Sequence, residues 1–357
     1  MKTIEPQHVD DLALGAVVLG TGGGGDPGIA KLMLRQALDR HGPVPVVAAG
    51  ELDPDGLVVP VAMVGAPTAG AEQIPNGGEA AIVLRALEGR LQRRAAAIMP
   101  VEVGGMNSLL PIAAAAELGL PVVDADLMQR AFPQIEMTTL SLDGIPASPF
   151  ALCDVRGNQV LLDAVDNRAA ERLVRATVAQ MGMTALAGAY PHTAKQCAQS
   201  AIPGSLSYCR EIGKRVRAIG ESEPGAYGEF LEFCRATIVF SGKVVDLERT
   251  ATGGWTRGTV VLDHLTEPGR QCTVHVQNEN LAAFENGVPR VTVPDLISLL
   301  DIETGTPMTT DGLAYGQRLH VIAMPAHERW RTPDGLALAG PRAFGYDFGY
   351  TPLEAAR

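Results

Sequence analysis

Four consecutive glycines constrain this chain more than any other feature. In the stretch Leu12–Leu34, LALGAVVLGTGGGGDPGIAKLML, an apolar run from Leu12 to Leu19 meets Gly20-Thr21-Gly22-Gly23-Gly24-Gly25, and Asp26-Pro27 then opens a segment with Ile29, Leu32 and Met33 apolar. The pattern reads as strand or short helix, tight loop, new helix. Pro27 suits a first helical position, because its φ is already helical and its missing N–H would be unpaired there; Asp26 suits the N-cap. Glycines admit positive φ and leave no Cβ to keep a ligand away, and a helix N-terminus favours an anion. Gly22, Gly23, Gly24 and Asp26 are therefore candidate substrate-binding residues, set against a plain tight turn that packs a helix closely on a sheet. The spacing is neither G-x-G-x-x-G with an acid about 20 residues on nor a Walker G-x-x-x-x-G-K-[ST].

The 357 residues suffice for two domains, since single cores stop growing near ~250–300 residues. With 46% hydrophobic and 19% charged residues, a large core is affordable and disorder is excluded. A net charge of −11 and no basic run longer than Arg93-Arg94 argue against nucleic acid. No apolar stretch reaches ~18 residues, so no membrane span is expected. The N-terminus carries Glu5, Asp10 and Asp11 rather than a signal sequence. Five scattered cysteines, Cys153, Cys197, Cys209, Cys234 and Cys272, form no C-x-x-C; with the rest this points to a reducing cytoplasm.

From Val44 to Ala125 short apolar runs alternate with helical spacing: strands at Val58–Val64, Arg94–Val103 and Leu120–Ala125, helices at Glu79–Leu91 and Asn107–Leu118. That alternation predicts an α/β domain with a mostly parallel sheet over residues 1–165. Two helices, Arg168–Met181 and Ser205–Ile219, bridge to a β-rich domain, giving 166–357 as the second unit, with the boundary near Val165.

Ligands of open parallel sheets bind outside the carboxyl ends of the strands. Glu102, Asn107, Asp124 and Asp126 fall there. An extended Val122–Asp126 would put both aspartates on one side, and close carboxylates split their pKa values into a base and an acid, or hold a divalent cation. The alternative has Asp126 capping the helix after it. Lys195 is a candidate for pairing with a substrate carboxylate, against the ordinary reading of a solvated lysine. Glu279 and Asn280, in QNEN at a strand end, line a pocket or merely satisfy a turn. His192 and Cys197 do not share a helical face, and Cys197 reads as a small buried residue. No histidine pair has zinc spacing, and no G-x-S-x-G marks a serine hydrolase.

Six stretches, GTGGGGDP (20–27), GAPTAGAEQIPNGGE (65–79), the long VEVGGMNSLLPIAAAAELGLPVVDADLMQRAFPQIEMTT (101–139), IPGSLS (202–207), VPDLISLLDIETGTPMTTDGLAYGQRLHVIAMPA (293–326) and GPRAFGYD (340–347), resemble the S-methyl thiohydantoin desulfurase family along essentially the full chain. The resemblance implies an α/β domain followed by a β-rich one, and hydrolysis of a five-membered cyclic imide or thioimidate, an S-methyl thiohydantoin giving a hydantoin and a thiol. No catalytic residues are carried over from it. The site rests on position and residue type: Asp124 as base, Asp126 or Glu102 as acid, Asn107 and the glycine loop on ring oxygens, Lys195 on a substrate carboxylate. No cofactor is expected, a divalent metal is an open alternative, and a homo-oligomer with a small-molecule substrate is the expectation. Two other readings stand beside it: an ATP-dependent hydantoinase or oxoprolinase-like enzyme, and a non-catalytic partner of a hydantoinase-like protein.

Overall fold

The computed structural model describes residues 1–66, 69, 73–252 and 255–353. Part of the stretch 65–79 therefore lies outside the described residues. The apolar run before the glycines is a helix, Val9–Gly20, buried nearly all round. It lies against a later helix, Ser205–Gly220, at backbone contact. A Cβ on Gly15 would stand 1.8 Å from the Cys209 carbonyl oxygen, and one on Gly213 1.7 Å from that of Asp11. Two glycines, one on each helix, thus permit a crossing that any side chain would prop apart.

The first sheet is mixed rather than mostly parallel. Val44–Val47, Val122–Val123, Ala95–Pro100 and Leu57–Gly65 are its parallel part, with Glu79–Leu91 and Leu110–Leu118 among the connecting helices. Beyond Leu57–Gly65 the pairing turns antiparallel, through Thr184–Gly188, Phe150–Cys153 and Gln159–Leu162. The strand Thr184–Gly188 arrives from beyond the helix Asn167–Gln180 and inserts beside the parallel strands. Strand runs read one after another cannot reveal such a return, because register is settled by burial of both faces. All five residues of Thr184–Gly188 are buried.

The second sheet is antiparallel throughout, eight strands in the order Val288–Thr292, Glu279–Glu285, Gln271–Gln277, Trp255–His264, Thr237–Thr252, Arg318–Met324, Leu296–Asp301, Pro307–Met308. It curls until Glu279–Glu285 approaches Leu296–Asp301, where Asn280 Nδ2 donates to the Ile297 carbonyl at 2.9 Å. Helices Ala194–Ser200 and Ala226–Cys234 complete the bridge. The tail packs back, with Tyr346 and Phe348 stacked on each other and reaching His275 and Phe284 of the second sheet. All five cysteines are free and buried. Among the described residues no helix is long and apolar enough to cross a membrane.

Candidate functional site

The carboxyl ends of Leu57–Gly65 and Ala95–Pro100 open onto a cleft with an interior of about 100 Å³. Three turns close it. Glu102 and Asn107 lie just beyond Ala95–Pro100. Gly24 and Gly25 end the glycine loop. Asn278 and Glu279 sit where the second sheet reverses on itself. Asn278 makes that reversal at φ +56°, a left-handed conformation that asparagine tolerates well.

Asn107 acts first as a piece of strand. The partner strand of Leu57–Gly65 ends at Pro100, leaving the Met63 backbone without a neighbour on that side. Asn107 supplies one: its Oδ1 accepts the Met63 N–H at 2.7 Å, and its Nδ2 donates to the Met63 carbonyl at 3.2 Å. The same Nδ2 donates to Glu102 Oε1 at 2.6 Å. Among the described residues Glu102 Oε2, which is buried, has no hydrogen-bond partner. Burial pushes the Glu102 carboxyl well above the usual range, and the charges of Glu279 and Asp126 add to it.

Glu279 comes from the second sheet and is 3% exposed, and its Oε2 is likewise buried without a partner among the described residues. Burial raises it from 4.5 to about 8, against the pull of Arg130 and Arg175. Two acids, each with a buried oxygen unpartnered among the described residues, thus line one cleft whose other walls include Met63, Met106, Met128, Phe132 and Phe150. Arg175 lines the mouth, donating to Glu171 Oε1 and the Pro133 carbonyl, both at 2.6 Å. Tyr190, held at φ +51°, donates to the Ile135 carbonyl at 3.0 Å.

Other expected site residues lie elsewhere. Asp124 and Asp126 do not face the cleft; they serve the start of the helix Ser205–Gly220. Asp124 Oδ1 accepts the Ser207 N–H at 3.0 Å. Asp126, wholly buried, takes the Ser205 hydroxyl at 2.6 Å and the backbone N–H groups of Gln129, Met128 and Val103, at 2.7 to 3.3 Å. Burial raises it to about 6 although every one of these bonds opposes the shift. Ile202–Pro203 pairs with Ala125–Asp126, so the expected acid–base pair is a helix cap assembled across 80 residues of sequence. Lys195 is exposed beside Pro54, ahead of the amino end of Leu57–Gly65 and so at the far end of the strand from the cleft.

The glycine loop divides. Gly22 and Gly23 face protein: a Cβ on Gly22 would stand 2.6 Å from Thr310 Oγ1, and one on Gly23 2.2 Å from Glu279 Oε1. Gly24 and Gly25 line the cleft, and Gly24 also accepts the Met106 N–H at 2.9 Å. Asp26 is exposed and accepts the Gly28 N–H at 2.7 Å, two residues ahead of the helix Gly28–His41, whose N-cap is Pro27. Asn280 is fully buried, spent on the Ile297 carbonyl with its Oδ1 unpartnered, and does not line the cleft. His192 is held near pKa 4 by burial, and Cys197, raised to about 12, touches Met99 Sδ at 3.8 Å. Among the described residues no three His, Cys, Asp or Glu side chains gather as metal ligands.

The loop's closeness to Gly104-Gly105 gives a direct test. Gly105 holds φ +57°, and a Cβ there would meet the Gly24 carbonyl oxygen at 2.1 Å. Gly105→Ala is expected to cost ~2 kcal/mol or more, read as a lowered urea midpoint; an unchanged midpoint would mean the loops are not packed this way.

Comparison with known proteins places the chain in a family. An N-terminal domain model described as S-Me-THD-like matches residues 7–164, and its C-terminal counterpart matches residues 165–353. The chain belongs to the S-Me-THD-like family. A crystal structure described only as a protein from Chromobacterium violaceum superposes on this S-Me-THD-like chain with a TM-score of 0.84 at 27% identity, covering 99% of this chain and all of that one. A search of curated proteins finds no match.

Proposed function

We propose that this S-Me-THD-like chain is a hydrolase that removes sulfur from an S-methyl thiohydantoin, with Glu102 and Glu279 as its acid–base pair. The observation that carries the reading is the pairing of two buried carboxyl groups, each with an oxygen that no atom of the described residues partners, on the wall of one apolar cleft. Raised acids in a cleft mark proton-transfer chemistry. The soft sulfurs of Met63, Met106 and Met128 suit a methylthio group.

The ionised member of the pair takes a proton from water as its oxygen bonds to the carbon bearing sulfur. The protonated member gives its proton to the adjacent ring nitrogen, and the carbon–nitrogen double bond becomes single. The carbon–sulfur bond then breaks. The leaving thiolate takes the proton gained from water, the new hydroxyl returns its proton to the other carboxylate, and a hydantoin carbonyl remains. Water and substrate become hydantoin and methanethiol, and both carboxyl groups recover their starting states.

An ATP-dependent opening of the ring fits less well. The glycine loop lacks the P-loop lysine, and two of its glycines pack closely against Thr310 and Glu279. The test is to incubate the purified full chain with an S-methyl thiohydantoin and follow free thiol and hydantoin. Equal release of both without nucleotide is expected. No release above the uncatalysed rate, or an absolute requirement for ATP and Mg²⁺, would overturn the reading.

Asp124→Asn is expected to keep thiol release within about threefold of the parent and to lose ~1 kcal/mol of stability as the helix start weakens. A loss of turnover of a hundredfold in a folded variant would return Asp124 to the chemistry.

A further inference from the structure

Asn107 makes three hydrogen bonds, and their directions are not interchangeable. The Met63 N–H can be accepted only by Oδ1, so the amide cannot flip, and Nδ2 is committed to Glu102 Oε1 and the Met63 carbonyl. Glu102 Oε1 is therefore held as an acceptor, and a proton on this carboxyl belongs on Oε2, the oxygen left without a protein partner. Among the described residues no amide is bonded to Glu279 Oε2; the carboxyl lies within reach of the charges of Arg130 and Arg175. We propose that Asn107 is a positioning residue that keeps the proton of Glu102 on Oε2, making Glu102 the acid that protonates the ring nitrogen and leaving Glu279 to accept the proton of water.

The assignment rests on the desulfurase reading for its chemistry, whereas the placement of the proton does not. The charged groups that face Glu102 are Glu279, Asp126 and Arg130. Burial holds Glu102 protonated, and the Asn107 bond partly offsets that, favouring the ionised form. Removing the amide therefore lets Glu102 keep its proton to higher pH. The fixed amide also leaves an infrared signature, because a carbonyl that accepts a hydrogen bond vibrates at lower frequency than a free one.

Two measurements decide it. In the Glu279→Gln background, the carboxyl carbonyl band that disappears on adding Glu102→Gln is assigned to Glu102. Asn107→Ala is expected to move that band to higher frequency, and Asn107→Leu, which fills similar space and has no donor for Glu102, is expected to shift it too. A band unmoved in both variants overturns the proposal, and one variant suffices should the other not fold. With Glu279 intact, Asn107→Ala is expected to lower kcat by tenfold or more, change KM by less than threefold and move the basic limb of the pH profile upward. A stability loss with the limb in place would make Asn107 merely structural. If the parent releases no thiol, the desulfurase reading fails while the infrared result still decides where the proton sits.

Discussion

Glu279→Gln is expected to abolish thiol release and, at pH 8, to leave the protein more stable than its parent. The two effects share one cause. Glu279 is 3% exposed with an oxygen that nothing among the described residues partners, a poor place for a charge and a useful one for a base. Its pKa rises from 4.5 in the open chain to about 8 in the fold. Between those values the unfolded chain releases the proton and the folded one retains it, so stability is full below about pH 4.5 and declines until about pH 8. At ~1.4 kcal/mol per unit the decline approaches roughly 3 kcal/mol by pH 7 as an upper figure. Glutamine has nearly the same shape and no proton to lose, so it removes the slope. Turnover by the parent is expected to climb through pH ~8 as the base ionises; the glutamine variant has no base to ionise. Urea unfolding from pH 4 to 9, with thiol release over the same range, checks both. An active variant, or one whose stability falls with pH as steeply as the parent, would remove Glu279 from the role given to it.

That site was partly legible in the sequence. Glu102 and Asn107 follow a recognisable parallel strand, and a parallel sheet places its ligands there. Glu279 stood out as an acid among amides at a strand end. Asp124 and Asp126 satisfied the same rule equally well and belong to a helix cap, because what decides between the roles is a partner 80 residues away in Ser205 and Ser207. Local pattern carries no such information. Lys195 illustrates the complementary failure. Its residue type fits an anionic substrate, but the strand that begins beside it points its carboxyl end away, toward the cleft. The mixed first sheet was hidden for a similar reason, since Thr184–Gly188 joins it from the far side of a helix. Among the glycines, positive φ was foreseeable at Gly22, Gly24 and Gly25, but whether each met a ligand or another backbone depended on where Gly104, Thr310 and Glu279 came to rest.

Arg130→Met is expected to destabilise the protein by ~3–5 kcal/mol, although the new side chain fills similar space and touches no substrate. Arg130 is wholly buried, and burial lowers it to about 10, yet it stays a cation because every element around it offers an acceptor. Nε donates to the Ala131 carbonyl at 2.9 Å. The terminal nitrogens donate to the carbonyls of Asp295 (2.9 Å), Pro294 (3.3 Å) and Asn280 (3.2 Å) and to Thr21 Oγ1 (2.8 Å). One planar fork thus joins the end of the first helix, the loop behind Asp126 and two turns of the second sheet, the geometry that brings Glu102 and Glu279 to one cleft. Methionine leaves four carbonyls without that donor and removes a cation that has Glu279, Asp295 and Glu102 as its acidic neighbours. Arg130→Lys is expected to recover only part of the loss, because an ammonium is a point donor and cannot span acceptors set around a plane. Urea midpoints of the three proteins at pH 7 decide the matter: a methionine variant within about 1 kcal/mol of the parent would mean that the two sheets are joined by their apolar contacts alone, and a lysine variant equal to arginine would mean that charge, not the fork, is what the junction needs.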